Sequence, residues 1–474
     1  MEAAATPLLL LPLRPPPPPA PTAPPTDEAD EAWAAFLSSP APPRHPPLAA
    51  TAPAPPLRLA LGAAWRVPAA AGAAADPSYD AAPGYVSALL ELPDGRLAAA
   101  YRDGCIRLWP PALVADGAAA VAHEPLQTLA GHSDAALCLA WLPGAQLLAS
   151  GGADGVLRLW ALPPWHGGRD GAAGGGASAV CVAALSAHAT GVRCVLAMPR
   201  GGPVVTGGWD GALRLWRVTA GGGGGGGPLE PWAGCAVLGE AHAGGVAAAQ
   251  ALPPSAHDAP PMFASAGDDG SLRVWELPLG ASAAGAPACV AHLTPPPAHG
   301  ERPHCGGVLH LAVHSTTSSL AGDHCGEPPP PPPQQQQQQQ YRVTTVHNDG
   351  CVHTWAAHMG GGGRWALAGS ARVGRPSLPV GCGTVLHDGQ LVLGCERGTL
   401  LLLASAPQTP PPPAPGAAPG PPAVEEQLRG GHAPFATVRA LTVAAGGRAL
   451  LSADDCGVIA VWVAVPVATA VHAS

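Results

Sequence analysis

The chain has 474 residues, a formal net charge of −9, 62 glycines and 61 prolines. Its basic residues never form a run longer than two, which argues against a surface built to neutralise nucleic-acid phosphates. The 12 cysteines include no C-x-x-C pair, so neither a zinc knuckle nor a disulfide framework is indicated. No apolar run reaches the ~18–20 residues that a membrane span needs.

Residues 1–56 are rich in proline and alanine and predict a disordered tail, because such a composition buries too little apolar surface to fold. One island, residues 27–37, predicts a short helix with Thr26 as its N-cap and acidic residues in its first turn. Trp33, Phe36 and Leu37 share one face of that helix and are candidates for docking into a partner's groove. Packing on the rest of the chain and simple coil remain alternatives.

The stretch Gly131–Trp160 contains three apolar runs separated by Pro-Gly and Gly-rich segments. The runs Leu137–Leu142, Gln146–Ser150 and Val156–Trp160 have the length of strands rather than helices. The preceding run, Pro125–Ala130, is interpreted as the fourth strand of the same unit. Four antiparallel strands at this spacing predict one blade of a β-propeller.

The unit recurs along the chain, with Asp-Gly turns at Asp103, Asp154, Asp210, Asp269 and Asp349. Seven units are recognised over residues 57–463; the sixth is degenerate, with Leu403 in place of the final tryptophan, and residues 464–474 form a C-terminal tail. The segment Leu57–Leu61 or Trp65–Val67 is expected to supply the outermost strand of the last blade, which would close the ring and remove exposed strand edges.

The recurring D-G-x-L-R-L-W pattern resembles the WD-repeat family, and this resemblance implies an all-β, seven-bladed WD-repeat-like β-propeller. It also implies a side-chain relay in which a histidine, a hydroxyl residue, an aspartate and a tryptophan tie the strands of a blade together. The relay residues are His132, Ser150, Asp154 and Trp160; His188, Thr206, Asp210 and Trp216; and His242, Ser265, Asp269 and Trp275. Recurrence in successive repeats favours a structural role over catalysis for these residues.

Other repeats depart from this pattern. The first has Ala99 at the hydroxyl position, and the fifth keeps Thr345, Asp349 and Trp355 but offers no histidine that can be placed. The seventh has Cys456 at the aspartate position, and Asp455 is expected to substitute through a shifted turn.

The long insertions fall in loops expected on one face of the propeller, while the loops of the other face, the top face, stay short. Insertions accumulate where they do least harm, so the top face is predicted to be the functional side. The partner-binding candidates are the residues just before the turn aspartates, namely Arg102, Trp209, Asp268 and Asn348. Tryptophan and arginine are the residue types that dominate interface hot spots.

These observations predict a non-catalytic scaffold for protein–protein interactions in a multiprotein complex, located in the cytoplasm or nucleus. The alternative is a peptide-reading receptor, such as a ubiquitin-ligase substrate adaptor or a histone-tail reader. No enzyme motif and no cofactor motif is present, and the His/Cys-rich stretch His299–Cys325 fits no structural zinc spacing, so no metal is expected. The expected partners are proteins or peptides on the top face, with neither nucleic acid nor membrane involved.

Overall fold

The structure is a computed structural model, and the part of the chain it describes is folded almost entirely as β-strands. It describes residues 57–66, 84–111, 124–165, 178–199, 202–218, 229–231, 237–238, 241–253, 260–278, 287–295, 307–317, 339–358, 364–373, 379–386, 390–403 and 424–466. The predicted tail 1–56, its island 27–37 with Trp33, Phe36 and Leu37, and residues 467–474 lie outside the described residues.

The strands are, in chain order, β1 (Leu57–Arg66), β2 (Val86–Glu91), β3 (Leu97–Tyr101), β4 (Ile106–Trp109), β5 (Gln127–Leu129), β6 (Ala136–Leu142), β7 (Leu147–Gly152), β8 (Val156–Ala161), β9 (Val180–Ser186), β10 (Val192–Ala197), β11 (Val204–Gly208), β12 (Leu213–Val218), β13 (Leu229–Pro231), β14 (Val237–Leu238) and β15 (Val246–Leu252). They continue as β16 (Met262–Gly267), β17 (Leu272–Glu276), β18 (Ala288–Leu293), β19 (Val308–Thr317), β20 (Gln339–His347), β21 (Cys351–His358), β22 (Trp365–Arg372), β23 (Val380–Val385), β24 (Leu391–Cys395), β25 (Leu400–Leu403), β26 (Val424–Leu428), β27 (Val438–Ala444), β28 (Ala449–Asp454) and β29 (Val458–Pro466).

These strands form seven antiparallel sheets, which are the blades of the propeller. Blades 1 to 6 are β2–β5, β6–β9, β10–β14, β15–β18, β19–β22 and β23–β26, and blade 7 combines β27–β29 with β1. The first strands of neighbouring blades contact each other all the way round the ring, from β2 to β27 and back to β2. The seven-bladed, all-β architecture expected from the repeats is therefore confirmed for the described residues.

The ring closes between the two ends of the described chain. The N-terminal strand β1 pairs antiparallel with β29, with Leu57 opposite Pro466 and Arg66 opposite Val458. On the inner side, the carboxylate of Glu91 in blade 1 accepts the backbone N–H of Ala445 in blade 7 at 2.9 Å. The strand β1 thus supplies the fourth, outermost strand of blade 7, whose sheet would otherwise end at β29.

One strand was assigned to the wrong blade from the sequence. The run Pro125–Ala130 contributes β5, which pairs with β4 of the preceding blade, with Ile106 opposite Leu129. It does not pair within the sheet formed by β6–β9. The chain returns beside the third strand before it crosses to the next blade, so a sequence repeat and a blade are offset by one strand.

The hydrophobic core lies between blades rather than in one central mass. Seven clusters of buried side chains each join two adjacent sheets, and the pair of blades 7 and 1 is filled by Trp65, Trp109 and their neighbours. Middle strands such as β7 are buried on both faces, while the first strand β6 alternates between buried and half-buried residues. This pattern is expected when each sheet packs against a neighbour on both sides.

Candidate functional site

The polar residues recognised in the opening repeat lie together in blade 2. His132 Nδ1 is 3.0 Å from Asp154 Oδ1, and His132 Nε2 is 2.8 Å from Ser150 Oγ. The indole N–H of Trp160 donates to the same Ser150 oxygen at 2.9 Å. A carboxylate only accepts hydrogen bonds, so Nδ1 carries the proton and Nε2 accepts the serine O–H. Each of these four side chains then has a hydrogen-bond partner within the relay.

The same arrangement recurs in the next two blades. His188 meets Asp210 at 2.9 Å and Thr206 at 3.0 Å, and Trp216 donates to Thr206 at 3.0 Å. In blade 4 the partners are His242, Asp269, Ser265 and Trp275, with distances of 3.1 Å from His242 to Asp269, 2.8 Å from His242 to Ser265 and 2.9 Å from Trp275 to Ser265. Each relay links the loop before a first strand, the second strand, the turn and the third strand of one sheet.

The protonation states of the relay are set by burial and hydrogen bonding. Burial lowers the pKa of His132 and His188 below 6.5, against the opposing attraction of their aspartates. Burial alone would raise the pKa of Asp154 and Asp269, but hydrogen bonds from backbone N–H groups and from the histidines outweigh it and hold the pKa lower than usual. At neutral pH the pair of His132 and Asp154 thus holds a neutral imidazole against a carboxylate.

The relay depends on a glycine two residues after the hydroxyl residue. A Cβ on Gly152 would overlap His132 and Asp154, and a Cβ on Gly208 would lie 2.6 Å from Asp210 Oδ1. A Cβ on Gly267 would lie 2.6 Å from the ring of His242. We call this place the small position, because the His–Asp pair fills the space that a side chain there would need.

Blade 7 corrects the sequence interpretation of its relay. The carboxylate that meets His432, at 2.9 Å, belongs to Asp454 and not to Asp455. Ser452 accepts the Trp462 indole N–H at 2.7 Å and lies 2.6 Å from His432. Asp454 occupies the small position, where blades 2 to 4 have glycine, and its carboxylate contacts the histidine from there. Cys456 stands at the position where those blades have their aspartate.

In two other blades the residue at the small position supplies the group that the repeat lacks. In blade 1 Tyr101 is fully buried, and its hydroxyl accepts the indole N–H of Trp109 at 3.2 Å, which compensates for Ala99 at the hydroxyl position. In blade 5 His347 lies 3.2 Å from the Thr345 hydroxyl, so the histidine that could not be placed comes from the same strand as the threonine.

Blade 6 has no such relay in its described residues. Its equivalents are apolar: Leu393 stands at the hydroxyl position, Cys395 at the small position and Leu403 at the tryptophan position, and all are buried. The turn bears Arg397 in place of aspartate, with a φ of 61°. Apolar packing therefore replaces the polar tie in the repeat identified as degenerate.

The second feature is a ring of seven backbone hydrogen bonds on the face where the relay turns lie. In each blade, one residue comes just before the turn aspartate, or just before the residue that replaces this aspartate. Its backbone N–H donates to the carbonyl of the residue that precedes the first strand, at distances between 2.8 and 3.1 Å. The donors are Arg102, Ala153, Trp209, Asp268, Asn348, Glu396 and Asp455, and the acceptors are Tyr85, Ala135, Gly191, Gly245, Gly307, Pro379 and Thr437. We call these fourteen residues the rim.

Trp209 is the large exposed aromatic of the rim, with 45% of its surface accessible. A Cβ on Gly191 would lie 2.6 Å from its ring carbons, and a Cβ on Gly245 would lie 3.1 Å from Cδ1. The indole is therefore seated on the glycines of two neighbouring blades. Beside it, Arg193 binds both carboxylate oxygens of Asp268 at 2.6 Å, across the seam between blades 3 and 4.

A second group of side chains lies at the seam between blades 7 and 1. The guanidinium carbons of Arg102 and Arg439 stand 5.1 Å and 5.8 Å from the centre of the Tyr85 ring. Arg439 also lies 3.8 Å from Asp455. Tyr85, Arg439 and Asp455 were missed as site residues, because only the closed ring brings blade 7 next to blade 1. Asn348 is exposed at its place on the rim.

The described residues contain no group of three or more His, Cys, Asp or Glu side chains placed to hold a metal ion. Within the same part of the chain, no helix is both long enough and apolar enough to cross a bilayer. Of the His/Cys-rich stretch His299–Cys325, only residues 307–317 are described, and they belong to β19 and its lead-in.

Comparison with known proteins connects three of these blades to a family. The family described as WD domain, G-beta repeat matches residues 123–161, 179–217 and 236–276. A ribosome biogenesis protein WDR12 homolog of Chlamydomonas reinhardtii is 33% identical over 134 residues, which are 27% of this chain and 24% of that protein. The match thus spans about a quarter of the relative's length. The crystal structure of the WD40 β-propeller domain of Doa1 aligns with a TM-score of 0.50 at 14% identity, covering 86% of this chain and 97% of that one.

Proposed function

We propose that this chain, a WD40-repeat β-propeller, is a non-catalytic scaffold that mediates protein–protein interactions in a multiprotein complex through its rim. The observation that carries the proposal is Trp209, which is nearly half exposed on the rim and seated on the backbone of two blades. A fold alone does not define a function, whereas an exposed tryptophan held in this way identifies a surface that a partner can bind.

Trp209 has the properties of an interface anchor. A tryptophan side chain buries ~150–250 Å² when it is covered, and it brings an indole N–H that can bond to a partner. Because the ring already rests on Gly191 and Gly245, little side-chain freedom is left to lose on binding. The Arg193–Asp268 ion pair beside it, in which one guanidinium nitrogen contacts both carboxylate oxygens, offers a polar border of the kind that surrounds interface anchors.

The non-catalytic part of the proposal rests on the state of the residues that resemble catalytic sets. The hydroxyl of Ser150 is fully buried, accepts the Trp160 N–H and faces His132. Its equivalents Thr206, Ser265 and Ser452 are equally buried and equally engaged. A nucleophile needs access to a substrate, and these hydroxyls serve as joints between strands.

The partners we propose are proteins, and the compartment is the cytoplasm or the nucleus. A relative is named for ribosome biogenesis, which makes an assembly complex of that kind the first to examine. A protein partner fits the rim better than a nucleic acid does, because the rim carries the acidic residues Asp268, Glu396 and Asp455 and a single arginine, Arg102.

The test is affinity purification of tagged full-length chain followed by mass spectrometry, comparing wild type with Trp209→Ala. The matched control is Val290→Ala, because Val290 is 47% exposed but lies on the outer strand β18. We expect Trp209→Ala to lose specific partners that Val290→Ala retains. Equal partner lists for a folded Trp209→Ala variant would overturn the proposal, and recovery of ligase subunits or histones would favour the peptide-reading alternative.

A further inference from the structure

A hollow of about 420 Å³ lies at the end of the sheets opposite the rim. The rim includes the residues that precede the first strands, so the loops that follow those strands stand at the other end of the blades. The hollow is bordered by such loops in blades 1 and 7 and by the end of β6 in blade 2. Its lining includes Glu91, Leu92, Pro93, Trp141, Ala445 and Gly446.

The hollow holds a carboxylate, that of Glu91, the last residue of β2. Both of its oxygens lie 2.9 Å from the backbone nitrogen of Ala445. An ionised carboxylate can accept about four hydrogen bonds, so this single N–H uses only part of its capacity. Within the described part of the chain, no arginine or histidine forms an ion pair with Glu91. The carboxylate therefore retains its charge and its capacity to bind a cation.

The arginines of the neighbouring loops are engaged elsewhere. Arg96 binds the carboxylate of Asp94 at 2.6 Å. The exposed Arg448 donates from Nε to the carbonyl of Ala445, in its own turn, at 3.1 Å. Neither of these two guanidinium groups pairs with Glu91, so the charge complementary to this carboxylate has to come from a bound molecule.

The turn that holds the carboxylate has an unusual backbone. Ala445 has a φ of 53°, in the left-handed region that favours glycine, and Gly446 and Gly447 follow with φ values of 65° and 90°. Strain at a residue such as Ala445 persists only where its surroundings maintain it, and it is concentrated at binding and catalytic sites. Here the turn places the Ala445 N–H against Glu91, which fixes the carboxylate beside the hollow.

An aromatic ring and two apolar residues form another part of the wall. Trp141 is half-buried and packs against the core between blades 1 and 2, so its ring is held in place. An indole attracts a cation that lies over its face. Leu92 and Pro93 offer apolar surface to the methylene groups that carry a basic head group. A carboxylate, an aromatic ring and an apolar wall together match a long basic side chain.

We propose that the hollow binds an arginine or lysine side chain of a basic peptide, with the cationic head group on Glu91 and Trp141. The inference goes beyond the proposed function, because it places a second peptide site at the end of the blades opposite the rim. The net charge of −9 favours the approach of such a peptide. Since the carboxylate and the ring are already held in position, little side-chain freedom is lost on binding.

The test measures binding of three capped tripeptides, Gly-Arg-Gly, Gly-Lys-Gly and Gly-Gln-Gly, to the full chain by saturation-transfer NMR titration. The variant is Glu91→Gln, whose amide oxygen can still accept the Ala445 N–H although the charge is lost. Its control is Glu276→Gln, which removes the same charge at the end of the third strand of blade 4, opposite the rim. We expect a basic tripeptide to bind about tenfold tighter than the glutamine tripeptide, and Glu91→Gln to lose about that factor.

The control variant should bind within about twofold of wild type, since a charge in another blade acts only through the screened field. Trp141→Leu keeps an apolar side chain and should weaken binding of the basic tripeptides severalfold, with the glutamine tripeptide unaffected. Equal binding of basic and neutral tripeptides, or equal losses in Glu91→Gln and Glu276→Gln, would overturn the inference. Partner capture that depends on Trp209 would still support the proposed function in that case, because these variants leave the rim unchanged.

Discussion

Asp454 holds His432 from a position only two residues beyond Ser452, whereas Asp154 holds His132 from four residues beyond Ser150. In blade 7 the small position thus carries the carboxylate, and in blade 2 it carries the glycine that makes room for one. The same hydrogen-bonded relay therefore forms with the aspartate at either of two positions in the turn. Blade 7 keeps the histidine, hydroxyl, carboxylate and indole groups and the hydrogen bonds between them, although the aspartate is at a different position in its sequence.

Exchanging these two positions in blade 7 tests that interpretation. Asp454→Gly removes a fully buried carboxylate that accepts from His432 and from the N–H groups of Cys456 and Val458, and should cost about 2 kcal/mol or more of unfolding free energy. Adding Cys456→Asp places an aspartate where blade 2 has Asp154 and should recover much of that loss. Thermal unfolding of both variants measures the loss and the recovery of stability. If the double variant were no more stable than Asp454→Gly, the two aspartate positions would not be interchangeable.

Filling the small position in a blade with a full relay should be destabilising. In Gly208→Ala the new methyl group lies 2.6 Å from Asp210 Oδ1 and against the His188 ring, and overpacking of this kind costs about 1–3 kcal/mol. Gly144→Ala is the matched control, because a Cβ there meets nothing within 4 Å. In denaturant unfolding, the midpoint of Gly208→Ala should be lower than that of Gly144→Ala. Equal midpoints would show that the His188–Asp210 pair does not need the space at Gly208.

The lowered pKa of the buried relay histidines His132 and His188 predicts that acid destabilises the fold. The folded-state pKa of His188 lies below 6.5 because of burial, with Asp210 opposing the shift and Arg214 adding to it. Below that pH the unfolded chain binds more protons than the folded chain, so stability is complete above about 6.5 and falls as the pH drops. The lowered pKa of Asp154 and Asp269 adds loss only at lower pH, below 3.8. The melting temperature should fall between pH 7.5 and pH 5.5, and less steeply in His188→Gln; identical slopes would be evidence against the assignment.

The seat of Trp209 can be disturbed without removing the indole. A Cβ on Gly191 would lie 2.6 Å from the indole ring carbons, so Gly191→Ala should displace the ring and weaken partner capture severalfold while the protein stays folded. Gly369→Ala, where a Cβ meets nothing within 4 Å, is the control. Unchanged capture by Gly191→Ala, quantified by immunoblot of the recovered partner, would show that the position of the ring is unimportant.

Much of the fold followed from the repeats, and the exceptions have physical reasons. Three relays were recognised because histidine, hydroxyl, aspartate and tryptophan keep one spacing in blades 2 to 4. The ties made by Asp454, Tyr101 and His347 were missed because a different residue at the small position takes over the role. A large polar residue at that position was the available signal. The grouping of Arg102 with Arg439 had no local signal, since it exists only once the ring has closed.

Binding of partners at the rim can be measured by hydrogen–deuterium exchange of the full chain with and without a recovered partner. We expect the partner to slow exchange in peptides that cover the rim around Trp209 and Asp268, and to leave the outer strands β9 and β18 unchanged. Exposed valines also lie on those outer strands, so they are a fair competing surface. Protection confined to β9 and β18, with no change at the rim, would show that partners bind the outer strands and not the rim.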